Sequence, residues 1–184
     1  TPAEIQYVAV GGDFSEVAHN YGALRVVRHL LNFDYLWNEV RVKGGAYGVS
    51  CQFNRVGEGY FASYRDPNLQ ATIDTYRNAA AYLENYDAQE REVTKTIIGT
   101  ISGMDTPLTP NMKGRRSITA YLTEQSIEEL QKTRDQVLAC SVEDIRKLAP
   151  VINAVTESGS VCVIGNEQHI QEDSGIFESI KPLS

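Results

Sequence analysis

The stretch Leu36-Trp37-Asn38-Glu39-Val40-Arg41-Val42-Lys43-Gly44-Gly45-Ala46-Tyr47-Gly48 sets one Arg and one Tyr on either side of a double glycine. Asp34 is placed to cap a short helix with Leu36, Trp37 and Val40 on its buried side, and Gly44 to end it just after Arg41. A strand follows from Ala46 to Asn54, where the alternation puts Tyr47, Val49, Cys51 and Phe53 on one face and Ala46, Gly48, Ser50 and Gln52 on the other. Arg41 thus closes a helix and Tyr47 opens a strand, six residues apart in sequence across a tight reversal. A guanidinium fork and a phenol held that way are donors suited to a carbonyl or a developing oxyanion. Spacing alone leaves a second reading open: Tyr47 on the apolar side of its strand is a core aromatic, and Arg41 a surface residue stacked on Trp37.

Working outward, Ile5 to Val10 reads as a first strand ended by Gly11-Gly12, a pair that lacks the further Gly and Lys-Ser/Thr of a phosphate loop. A helix from about Val17 to Leu31 carries the apolar stripe Leu24, Val27, Leu30 and Leu31. Beyond the Tyr47 strand, the turn Asn54-Arg55-Val56-Gly57-Glu58-Gly59 leads into a second strand, Tyr60 to Arg65, as an antiparallel hairpin. Asp66-Pro67 then starts a helix that runs to about Tyr86, with Asp as N-cap and Pro in the first helical position. Asp87 with Glu90 marks a capping box for a helix to about Ser102, and Ser126 with Glu129 and Ser141 with Asp144 mark two more helix starts. Gly159 precedes a last strand. This order predicts an α+β fold, a two-layer sandwich of a mostly antiparallel sheet covered by helices.

The 184 residues are enough for one core, and no linker or internal repeat divides them, so residues 1–184 read as a single domain. There is no apolar run of membrane-spanning length and no signal-peptide pattern. Thr1-Pro2 in place of an initiator Met is expected of a processed chain or of an excised piece of a longer one. With 24 carboxylates against 17 Lys and Arg, nucleic acid is not an expected partner, and the short apolar runs make a membrane an unexpected one too. The cluster Lys113, Arg115 and Arg116 reads as a solvated helix entrance. Cys51, Cys140 and Cys162 form no disulfide framework; Cys51 and Cys162 lie in apolar strand patterns and read as small buried thiols, which fits a reducing compartment.

The chemistry that is missing narrows the function. The three histidines, His19, His29 and His169, supply no His-x-x-Glu-His motif; His169-Ile-Gln-Glu-Asp has the Glu at the right offset but ends in Asp. No Gly-x-Ser-x-Gly elbow is present.

The run Val40-Arg41-Val42-Lys43-Gly44-Gly45-Ala46-Tyr47-Gly48, with Ser63-Tyr64-Arg65-Asp66-Pro67-Asn68-Leu69, Pro107-Leu108-Thr109-Pro110, Lys113-Gly114 and the late strand Val161-Cys162-Val163-Ile164-Gly165, resembles the last domain of the presequence-protease branch of the insulinase/pitrilysin zinc peptidases. The resemblance covers nearly the whole chain. It implies a parent of four domains with one shared fold, arranged as two halves that close around a peptide, with zinc in the first half and none in this chain. It also implies that Arg41 and Tyr47 reach into the active site from the opposite half, as substrate-binding residues with supporting catalytic roles. The implied partners are the zinc-bearing N-terminal half and unfolded peptide substrates. The implied location is the cytoplasm of a bacterium, or a mitochondrial or plastid interior in a eukaryote. On this reading the isolated chain is inactive and its parent is a zinc metalloendopeptidase. The alternative is a structural or partner subunit of the same fold without peptidase activity, for which the Arg41 and Tyr47 pair has no chemical use.

Overall fold

The computed structural model describes residues 4–17, 19–157 and 159–182; Thr1 and Pro2, singled out above, lie outside them. Four strands, β1 (Gln6–Asp13), β2 (Gly48–Phe53), β3 (Glu58–Asp66) and β4 (Ser160–Ile164), form one sheet in the order β2-β3-β1-β4 with every neighbouring pair antiparallel. The predicted α+β sandwich is the observed architecture. Strand β1 runs straight through Gly11 and Gly12, which pair with Tyr60 and Gly59 of β3, so the double glycine does not end it.

One face of the sheet carries the core. Val8, Val10, Cys51, Phe53 and Phe61 point inward and meet three helices: α1 (Tyr21–Leu30), α2 (Gln70–Glu84) and α7 (Ala149–Glu157). Phe53 meets Phe61 edge-on and Phe61 lies tilted against Tyr76, with ring centroids 5.9 and 5.3 Å apart, and aromatic burial of this kind dominates core energetics. The stripe Leu24, Val27, Leu30 and Leu31 is buried as its spacing implies. Helix α1 starts at Tyr21 rather than Val17, because the Asn20 side chain caps it by accepting from the Ala23 amide at 3.0 Å.

The outer layer contains α3 (Glu90–Met104), α4 (Pro110–Leu122), α5 (Ile127–Leu138), α6 (Val142–Arg146) and α8 (Glu167–Glu172). Ser126 with Glu129 and Ser141 with Asp144 form the two expected capping boxes. The third box is displaced by two residues, to Gln89 with Glu92, while Asp87 remains exposed at 3.7 Å from Arg146. Helix α4 contains Lys113, Arg115 and Arg116 and buries none of its residues.

Two further expectations are corrected. Asp66 does not cap α2, which begins only at Gln70. It stays in sheet register opposite Gln6, fully buried, and its carboxylate accepts from the Ser63 hydroxyl (2.6 Å), the Thr72 hydroxyl (2.9 Å) and the Asn68 amide (2.9 Å). Of the two strand cysteines, Cys51 is fully buried but Cys162 is exposed, because it lies opposite Ala9 on the sheet face that the helices leave open.

Candidate functional site

The chain does not break at Asp34. From the end of α1 it continues through two π-wound segments, Leu31–Tyr35 and Trp37–Lys43, with Leu36 in α conformation between them. Asp34 therefore caps nothing; its carboxylate accepts from the Asn38 amide at 3.0 Å and the Tyr82 hydroxyl at 3.1 Å. Leu36 and Val40 are buried as expected, whereas Trp37 is 44% exposed. The wider winding carries Trp37 off the core side and leaves it beside Arg41. π-Helical winding concentrates at functional sites, where it re-aims side chains.

At the end of this helix the amides of Gly44, Gly45 and Ala46 bond back to the carbonyls of Glu39, Arg41 and Val40 at 3.0, 3.0 and 3.1 Å. Gly45 has φ +83°, a left-handed conformation that suits a residue without Cβ. The Asn68 amide then holds the Gly44 carbonyl at 2.6 Å, tying the turn to the segment after β3.

Tyr47 is not in strand β2, which begins at Gly48, and it does not share the inward face of Cys51 and Phe53. Its amide bonds to the Arg65 carbonyl at 3.2 Å while its side chain is 57% exposed, so the core-aromatic reading fails. The Arg41 guanidinium donates to the Tyr47 main-chain carbonyl and lies over both the Trp37 ring, 4.5 Å to its centroid, and the Tyr47 ring, 5.6 Å. The sequence spacing thus brings Arg41 and Tyr47 together in space.

A third residue joins them. The Arg65 guanidinium lies 5.7 Å from the Tyr47 centroid, and Arg65 itself adopts φ +49°, an uncommon conformation for a residue with a side chain. Tyr64 meets Tyr47 edge-on at 5.3 Å. The available signal for Arg65 was its place in the Ser63–Leu69 motif, directly before Asp66-Pro67, where a strand must turn sharply.

Arg41 and Trp37 form one wall of a groove of about 540 Å³ whose floor is the open face of the sheet. On that face Gly48, Tyr64, Tyr7 and Ile164 lie in one cross-strand row, and Ser50, Ala62, Ala9 and Cys162 in the next. An aromatic ridge therefore borders a shallow row of small side chains. The arrangement offers a phenol with two cations near its ring, one of which, Arg41, also lines the apolar groove, which is a setting for stabilising negative charge on a bound carbonyl oxygen.

Among the described residues no three His, Cys, Asp or Glu side chains come together as a cation site. The histidines are held apart: His169 Nδ1 pairs with the Gln6 amide at 2.8 Å, His19 with the Val17 carbonyl at 2.7 Å, and His29 packs on Phe33 with centroids 4.5 Å apart. Burial, reinforced by the charge of Arg28, holds the His29 imidazole below its ordinary pKa. The thiols of Cys51 and Cys140 are pushed up, chiefly by burial, to about 12 for Cys140. No helix among the described residues is long and apolar enough to cross a membrane.

Residues 1–167 match the family model described as the PreP C-terminal domain. The chain is 44% identical over 184 residues to Protein HypA of Clostridium perfringens, spanning 100% of this chain and 19% of that protein. It is 33% identical over 188 residues to Presequence protease 1, chloroplastic/mitochondrial, of Arabidopsis thaliana, spanning 99% of this chain and 17% of that one. The chain thus spans about a fifth of the length of these curated relatives. Among solved structures, a protease from Helicobacter pylori superposes with a TM-score of 0.70 at 17% identity, covering 88% of this chain and 41% of that one. At that identity the likeness is one of fold.

Proposed function

The chain belongs to the PreP C-terminal domain family, and from that premise we propose that it serves a zinc-dependent oligopeptidase as a non-catalytic C-terminal domain, supplying Arg41 and Tyr47 to the peptide and its transition state. One observation carries this reading: Tyr47 is a mostly exposed phenol set between the guanidiniums of Arg41 and Arg65, with no hydrogen bond to its hydroxyl among the described residues. A structural subunit has no need of such an arrangement.

On this reading the zinc-bearing N-terminal half of the parent is the domain's partner, and zinc in that half supplies the activated water. The Tyr47 hydroxyl donates to the carbonyl oxygen of the peptide as negative charge grows on it. Arg41 has one prong on the Tyr47 carbonyl and its other donors, unpaired among the described residues, serve a second substrate carbonyl. The apolar groove beside them accepts an extended, unfolded peptide, and closure of the two halves into a chamber excludes folded proteins. A reducing compartment, the cytoplasm of a bacterium or the interior of an organelle, fits the thiols.

The test is Tyr47→Phe in the full-length protein, measured as steady-state peptide cleavage at matched zinc content with thermal melting as the folding control. Loss of one preorganised oxyanion donor typically costs about 10²–10³ in rate, and melting should not change because the hydroxyl makes no hydrogen bond among the described residues. Arg41→Lys should also impair turnover, since an ammonium lacks the planar fork. Full activity of Tyr47→Phe would leave the structural-subunit reading in its place.

A further inference from the structure

Three arginines line one pocket away from the Arg41 groove. Arg25 of α1, Arg55 of the β2–β3 turn and Arg116 of α4 line one pocket of about 310 Å³, with Tyr21, Gln125 and Thr133 as its other polar groups. It shares no residue with the Arg41 groove, and among the described residues no Asp or Glu lines it, in a chain of formal net charge −7.

The three cations are unequally compensated, and Arg25 least of all. Arg55 lies 3.3 Å from Glu129, at the surface, and 5.7 Å over the Tyr21 ring. Asp105, whose carboxyl Arg116 influences through space, is already gripped by both prongs of Arg134 at 2.6 and 2.8 Å. Arg25 makes no hydrogen bond or ion pair among the described residues, and its Nε is buried without a partner. Like charges gathered in a pocket repel one another, and a buried guanidinium nitrogen without an acceptor is costly. An anion with several acceptor oxygens relieves that repulsion, and planar guanidinium forks match a phosphate group in particular.

We propose that this pocket is an anion site that takes a phosphate group, as free phosphate or as part of a small polyphosphate, with Arg25, Arg55 and Arg116 as its ligands. The site has a structural consequence. Helix α4 buries none of its residues, so an anion bridging Arg116 to Arg25 and Arg55 fastens α4 to the body of the domain. The inference stands independently of the peptidase reading, since its test needs no turnover.

Calorimetric titration of the purified chain with inorganic phosphate and with tripolyphosphate, at ionic strength held constant with chloride, tests it. Saturable binding is expected, tighter for tripolyphosphate, together with slower amide hydrogen exchange across residues 110–122. Arg25→Gln and Arg116→Gln should each weaken binding by about tenfold or more, the loss of a charge-assisted contact, while Lys181→Gln should not. Because Arg116 sits on an exposed helix, its variant keeps the test valid even if Arg25→Gln perturbs folding. Absence of saturable binding, or full affinity in Arg116→Gln, overturns the proposal and leaves the cations for a carboxylate of a neighbouring domain.

Discussion

The Arg41 guanidinium rests on the face of Trp37, 4.5 Å from the ring centroid and one turn later on the same π-wound segment, while its Nη1 holds the Tyr47 carbonyl. Two fixed points therefore aim one flexible side chain. Trp37→Leu keeps apolar bulk and removes the π face, which at an exposed site contributes about 0.5–1 kcal/mol. Peptide cleavage by the full-length protein should fall by about two- to fivefold, with melting temperature unchanged. A loss as large as that of Arg41→Ala would mean that Trp37 touches the substrate itself.

Asp66 is the domain's most consequential buried charge. Its carboxylate accepts three donors, from Ser63, Thr72 and Asn68, and Asn68 in turn holds the Gly44 carbonyl beside the Arg41 turn. Asp66→Ala strands all three donors, of which the Ser63 and Thr72 hydroxyls are buried, at about 1–3 kcal/mol for each one left buried, so urea denaturation should show a loss of at least about 2 kcal/mol. Asp66→Asn retains one acceptor oxygen and should lose less. Equal stability of the two variants would show that water replaces the carboxylate.

Much of the fold was legible because it is written locally. The Asn54–Gly59 turn joins an antiparallel hairpin, and Ser126/Glu129 and Ser141/Asp144 close their capping boxes within four residues. What failed depends on tertiary packing. Asp34 looks like a helix start, but buried Leu31, Leu36 and Val40 keep the helix going through it by widening its turn. Asp66 looks like a cap, but sheet pairing with Gln6 holds it in β3. Tyr47 fits an inward alternation that begins only after Gly48, because the turn at Gly45 sets its side chain outward before pairing starts. The Arg41 and Tyr47 pair was readable from sequence as two residues; that Arg65 completes it from the far end of β3 was not.

The cysteines should separate by reactivity. Cys162 is exposed on the open sheet face, whereas burial pushes the thiols of Cys51 and Cys140 well above their ordinary range, with Asp144 adding to the effect at Cys140. Since the thiolate is the reacting form, a chromogenic disulfide reagent should titrate one thiol rapidly in the native protein and all three in denaturant. Cys162→Ser should abolish the fast phase. A second fast thiol would place Cys140 in an open conformation.

The start of α6 carries a pH-dependent contribution of definite sign. The Ser141 hydroxyl donates to the Asp144 carboxylate at 2.6 Å and the Ser141 amide at 3.0 Å, and these bonds hold Asp144 below the ordinary carboxylate range. A folded pKa below the unfolded one means that the contribution is complete above the unfolded value and is lost as pH falls through the folded one. His29, held below its ordinary value by burial, has the same sign, but its loss begins higher, as pH drops past the unfolded imidazole pKa near 6.5. The two windows are therefore separable. Ser141→Ala should cost about 1 kcal/mol at neutral pH, the usual value of a lost cap. Its deficit against the unsubstituted chain should persist through the His29 window and shrink only where Asp144 takes up its proton. Thermal melts from neutral to strongly acidic pH measure this, and a deficit that closes already near pH 6 would mean that the box is coupled to His29 rather than to Asp144.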